Sequence, residues 1–225
     1  MSVKTKAAIS IVINVLMAVT TVGIVISYFF TKNFLIRTNQ EIFWYFTTDS
    51  NLFVSLAALV TTVFDVQILR GKREILPKPV VLFKFTGVVA VMIVLMTCLL
   101  YLAPRYGFGF IFGSTFFHMH LSAPVMAFVS LCFFEKGERL GFWEAQLAHI
   151  PCIAYAVVYF VMVNAIGEAN GGWRDLYHFS DNSTWYIAAI LLTVQEIIIV
   201  IVTRLIYNLK QQRDAAPGPP IERFH

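Results

Sequence analysis

Charge is scarce in this chain. Only 13% of its 225 residues are Asp, Glu, Lys or Arg, against about 25% in an ordinary soluble domain. With 58% hydrophobic residues and a mean hydropathy of +0.73, it has too little polar surface for a soluble globule. The same composition excludes a disordered chain, collagen and a coiled coil. Cysteine is scarce as well. Cys98, Cys132 and Cys152 all lie inside apolar runs, which excludes a disulfide framework or a metal-ligand pair and leaves them as small buried hydrophobes. The net charge is +4 and the pI near 9.0. Its basic residues stand in short clusters without interleaved aromatics, so nucleic acid is not an expected partner. No spacing implies a metal or an organic cofactor.

What is present is a succession of apolar runs near 20 residues long, each sufficient to cross a bilayer. They are continuous rather than alternating and about twice the length of a barrel strand, so helices are expected. The expected fold class is all-α: a polytopic membrane protein, a six-transmembrane-helix bundle over residues 1–208. Its spans fall at about 7–31, 44–69, 80–102, 115–134, 144–166 and 185–207. The first run has a basic leader, Lys4 and Lys6, but is too long for a signal-peptide core and lacks a cleavage site, so it reads as a retained first helix. Residues 209–225, with Ala-Ala-Pro-Gly-Pro-Pro, read as a disordered cytoplasmic tail. No internal repeat is visible.

Lysine and arginine set the orientation. The N-terminus, residues 70–78, residues 136–139 and the tail carry eleven of them, and the opposite segments carry four: Lys32, Arg37, Arg105 and Arg174. That bias places both termini in the cytoplasm of a multi-pass protein of the cell membrane, the inner membrane if bacterial. The longest external loop, residues 167–184, is too aromatic for a mere linker.

Polar groups inside spans are expensive and are candidates for function. Span 2 opens with Phe46-Thr47-Thr48-Asp49-Ser50-Asn51-Leu52. Such residues suit a helix cap, yet one cap needs one residue. Thr47 with Asn51, and Thr48 with Ser55, share faces that point into the bundle. Span 4 carries His118 and His120, then Ser122 and Pro124. Pro124 has no N–H to offer the carbonyl of His120, which predicts a local opening of the helix around that imidazole. Spans 2, 4 and 6 all enter from the external side, so hydroxyl, imidazole and carboxylate converge at one depth. A hydroxyl beside an imidazole is the minimal nucleophile and base pair, with Asp49, Asp175 and Asp181 available to orient the ring. Lys84 is expected to snorkel and Asp65 to be solvated near the end of span 2. Glu196, near the middle of span 6, suits a proton-coupled transporter.

In order and spacing these pieces resemble a family of bacterial six-helix integral membrane proteins. Beyond the span 2 motif they comprise Lys84 to Pro104, His120 with Pro124, Pro151 with Tyr155 and Tyr159, and Trp173-Arg-Asp175-Leu-Tyr177-His-Phe179. That family is distantly similar to the eukaryotic androgen-induced and androgen-dependent membrane proteins, threonine hydrolases of fatty acid esters of hydroxy fatty acids. The resemblance covers about residues 8–208. It implies a threonine nucleophile at Thr47 or Thr48, depending on how the motif is counted, and a histidine base at His120, with His118 the extra residue. Asn51 stands where those relatives have an aspartate. Asp49, Asn51, Asp175, Tyr177 and Asp181 are the implied supporting residues, Asp181 keeping the acid of the relatives' loop.

The reading that follows is an intramembrane lipid ester hydrolase near the outer leaflet, with a membrane lipid or fatty-acyl ester as substrate and the bilayer as its surroundings. Its rivals are a small transporter or lipid-binding membrane protein, for which Glu196 and Gln195 speak, and a non-catalytic membrane scaffold.

Overall fold

In the computed structural model the described residues are 1–30, 39–177 and 185–215. They form an all-helical bundle. Six helices are long and apolar enough to cross a membrane: α1 (Val3–Phe30), α2 (Phe46–Leu69), α3 (Lys78–Tyr106), α4 (Ser114–Phe134), α5 (Phe142–Ile166) and α6 (Trp185–Ala215), whose apolar stretch is Ala189–Asp214. No strand occurs among the described residues; a lone bridge joins Leu76 to Gly137. Hydropathy therefore locates all six membrane-length helices, with ends displaced by a few residues. The largest displacement is at α6, which runs to Ala215, past residue 209 where the sequence suggests a tail. Residues 216–225 lie outside the described residues.

The helices alternate in direction. Lys6 and Asp214, at the start of α1 and the end of α6, pair at 2.5 Å, and Lys78 pairs with Glu144 at 2.6 Å where α3 and α5 start. One end of the bundle, the terminal end, thus holds the starts of α1, α3 and α5. The far end holds the starts of α2, α4 and α6.

Helices α1 to α4 form the packed centre, around Met17, Val54, Val81, Phe85, Val88, Ala127 and Leu131. Gly87 lets α2 and α3 approach closely, since a Cβ there would lie 3.0 Å from the Val54 Cα. Small residues at such a crossing replace the hydrophobic drive that lipid removes. Helix α5 sits at the edge, with 6% of its apolar window buried.

Two expectations fail here. Asp65, expected to be solvated, is 1% exposed, and Lys84, expected to snorkel, is 0% exposed. Both are near helix ends, but the neighbouring helices extend past them and close them off from solvent.

Four segments widen into π-turns: Cys98–Leu102 in α3, His118–Ser122 and Ser130–Phe134 in α4, and Val161–Ile166 in α5. In two of them the residue before a proline reaches back five positions, Ala103 to the Cys98 carbonyl and Ala123 to that of His118. Pro104 and Pro124 follow at once. The opening expected at Pro124 is therefore a π-turn, which passes one residue out of the ladder. Between α3 and α4, residues 107–113 fold into a hairpin with one helical turn, Phe108–Ile111. Ser114 leaves it at φ 51°, the only non-glycine positive φ among the described residues.

Candidate functional site

At the far end a cavity of about 250 Å³ opens between α2, α3, α4, the hairpin and the loop after α5. Its walls are mostly apolar or aromatic, among them Ile42, Leu102, Phe110, Phe116, Met119 and Leu176. Thr47, Thr48 and His120 are among its polar lining residues. Thr48 is buried and Thr47 half-buried, and neither hydroxyl hydrogen-bonds to another described residue. Tyr106 and Phe110, both exposed, belong to the rim.

Helix α2 begins in a way the sequence does not foretell. Its N-cap is Tyr45, with no side-chain cap, so the polar run that follows is not spent on capping. The orphan N–H of Phe46 instead donates to the Tyr177 hydroxyl at 2.9 Å. Tyr155 donates to the Trp44 carbonyl at 2.6 Å, Trp44 stacks on Trp173 at 5.5 Å, and Arg174 pairs with Glu41 at 3.1 Å. The loop is thereby pinned to the start of α2, and Tyr177 becomes a wall of the cavity. Burial raises the phenol pKa of Tyr45, against the opposing charge of Arg174, and burial raises that of Tyr177 as well. Both remain neutral hydroxyls at neutral pH.

The two histidines have separate surroundings. His118 faces α1, with Nε2 2.9 Å from the Thr21 hydroxyl and Nδ1 2.9 Å from Ser122 Oγ. Both of its nitrogens are engaged. His120 faces the hairpin, with Nδ1 2.6 Å from the Ile111 carbonyl oxygen and its ring stacked on Phe116 at 5.5 Å. A carbonyl only accepts, so Nδ1 carries the hydrogen. In the neutral ring Nε2 then holds the free lone pair.

Asn51 joins the two polar helices. Its Nδ2 donates to the carbonyls of Thr47 at 2.7 Å and Met119 at 3.0 Å, while its buried Oδ1 has no partner. The threonine turn is thus tied to the π-turn that carries His120.

The carboxylates go elsewhere. Asp49 lines a different groove, with Ser50, Phe53 and Pro151, between α2, α3 and α5. Asp175 accepts from the Tyr159 hydroxyl at 2.6 Å. Asp181 lies outside the described residues. The group orienting His120 is the Ile111 carbonyl, a main-chain atom on a hairpin that no motif marks. Tyr45 and Phe116 were also missed; their signal was the density of aromatics flanking the polar motifs. Of the midspan pair, Gln195 donates to the Ile93 carbonyl and Thr97, and Glu196 lies 3.1 Å from His149 Nδ1. None of these lines the cavity.

No protein-family profile, curated protein sequence or solved structure matches the chain. The resemblance drawn above rests on its motifs alone.

Proposed function

We propose that this membrane protein is an intramembrane ester hydrolase whose substrate is a lipid or fatty-acyl ester. One observation carries the reading: an imidazole whose Nδ1–H is held by the Ile111 carbonyl lines the same largely apolar cavity as two threonine hydroxyls that hydrogen-bond to no other described residue. A threonine alcohol is a weak nucleophile without a base, and His120 Nε2 offers the lone pair such a base needs.

The chemistry follows from these groups. Thr47 or Thr48 Oγ attacks the ester carbonyl carbon while its proton passes to Nε2 of His120. The tetrahedral adduct collapses, the C–O bond to the alcohol breaks, and the imidazolium returns the proton to the leaving oxygen. Water then attacks the acyl-threonine, giving its proton to His120; the C–Oγ bond breaks, the imidazolium returns the proton to the threonine oxygen, and a carboxylic acid leaves. The start of α2 presents the positive end of its dipole to the developing oxyanion. Aromatic walls accept an acyl chain, and the exposed rim at Tyr106 and Phe110 suits entry from the lipid side. Glu196, on which a proton-coupled transporter would turn, lies 3.1 Å from His149 Nδ1 and outside the cavity, its buried Oε1 making no hydrogen bond to a described residue.

The test is labelling by a fluorophosphonate probe on membranes bearing wild type, Thr47→Ala, Thr48→Ala or His120→Ala. The expected result is labelling in wild type, its loss in one threonine variant, and a fall on the order of 10²–10⁴-fold in His120→Ala. Unlabelled wild type, or full labelling of His120→Ala, overturns the reading. Uptake that fails in Glu196→Gln yet survives loss of both threonines would establish the transporter instead.

A further inference from the structure

At the terminal end, away from the cavity, three ionisable side chains meet inside the bundle. Lys84 and Glu135 have fully buried side chains, and Asp65 is 1% exposed. Lys84 Nζ donates to Asn14 Oδ1 at 2.6 Å and lies 3.7 Å from Glu135 Oε1. Asn14 Nδ2 donates to the same Glu135 oxygen at 3.2 Å and to Ser10 Oγ at 3.1 Å. Ser10 donates to Asp65 Oδ2 at 2.6 Å, and Ser130 donates to Glu135 Oε1 at 2.8 Å. One network therefore joins α1, α2, α3 and the end of α4.

Its charges do not balance. Two carboxylates and one ammonium leave one negative charge in a medium where an uncompensated charge is prohibitive. Among the described cations at this end, Lys84 is the one paired with either carboxylate. Lys6 and Lys210 pair with Asp214, Lys78 pairs with Glu144, and Arg204 donates to the Leu140 carbonyl. Lys136 is half-buried without an ion pair to Glu135, and Lys4, Arg70, Lys72, Arg73, Arg139 and Arg213 are exposed. Of the other groups at this site, Cys132 and Tyr207 are neutral and Glu138 is exposed, adding no positive charge. A second observation indicates what is missing. Glu135 Oε2 is buried with no hydrogen-bond partner, and so is the hydroxyl of Tyr207, which lies within electrostatic range of Glu135. Asn14 and Ser130 donate to Glu135 Oε1 beside the Lys84 ammonium, and Ser10 donates to Asp65 Oδ2, whereas Glu135 Oε2 accepts from no described residue.

We infer that the Asp65–Lys84–Glu135 cluster is a proton-binding site. One proton, shared by the two carboxyls, neutralises it, with Lys84 as the fixed counter-charge. A metal cation fits less well, because Lys84 Nζ already occupies the cationic position beside Glu135. Asp65 stands four residues before the end of α2 and Glu135 directly follows α4, so the proton exchanges with the terminal side. The site is independent of the hydrolase reading.

The test uses the full chain in lipid nanodiscs. Infrared difference spectra are recorded across a pH titration, with Asp or Glu carboxyl carbons isotopically labelled so that the neutral-carboxyl C=O band is assigned without mutation. The expected result is one such band at neutral pH, shifted by the label, lost on alkaline titration, and absent in Glu135→Gln or Asp65→Asn. Thermal stability supplies a second reading. Removing the proton leaves a bare charge in the folded bundle only, so wild-type stability falls as pH rises, and the fall is lost in Glu135→Gln. Absence of any neutral Asp or Glu band overturns the inference. So does loss of the band on adding sodium at fixed pH, which would make this a sodium site.

Discussion

His118 and His120 are two residues apart on one π-turn, yet they point into unrelated surroundings. His118 bridges Thr21 of α1 and Ser122. Its replacement by Ala strands two hydroxyls and should cost about 1–3 kcal/mol, measured as a lower melting temperature, with probe labelling unchanged. His120→Ala should do the opposite, sparing stability more than labelling. Tyr177→Phe removes the acceptor of the Phe46 N–H at the start of α2. A loss of about 1–2 kcal/mol and a fall in labelling are expected, because that turn holds both threonines; an unchanged melting curve would show that water replaces the phenol. The candidate residues themselves were legible in sequence, since polar side chains stand out against lipid-facing neighbours. Their partners were not. The Ile111 carbonyl is a backbone atom, and main-chain acceptors leave no trace in residue identity.

Helix positions were legible because a continuous apolar run of bilayer length has few other uses. Helix interruptions were half legible. Pro124 removes a donor, which the sequence states, but whether the chain responds by kink or by π-turn depends on what packs beside it. Close approaches were invisible. A Cβ at Gly87 would lie 3.0 Å from the Val54 Cα of α2, and one at Gly172 would lie 2.1 Å from the Met162 carbonyl oxygen. Gly87→Val should force α2 from α3 and cost about 1–3 kcal/mol, seen in thermal unfolding. Gly172→Ala should instead lift residues 173–177 from the start of α2. Labelling is then expected to drop while the melting temperature changes little; a retained signal would show that the pinned loop is dispensable.

Over the whole molecule, two polar clusters stand at opposite ends, with the midspan pair Gln195 and Glu196 apart from both. The far end has the cavity, and the terminal end has the Asp65–Lys84–Glu135 network. Reading depth alone, one or two turns from a helix end, made Asp65 and Lys84 look reachable by water. Burial at that depth is a property of the neighbours: Ser10 and Asn14 of α1 and Ser130 of α4 enclose them. The polar pair Ser10 and Asn14, four residues apart in an otherwise apolar run, was the available signal, since two such residues on one face need partners inside the bundle.

Phe110, on the rim, and Ile111, whose carbonyl holds His120, are adjacent residues of one helical turn of four residues. On the hydrolase reading this makes the entrance and the base a mechanical interlock. Were the hairpin to swing aside for a bulky lipid, it would carry the carbonyl off Nδ1 and release the imidazole from its tautomer. On that reading the ring would be armed only with the hairpin in place, attack on the ester would wait for closure, and water arriving at an open door would meet a disarmed site.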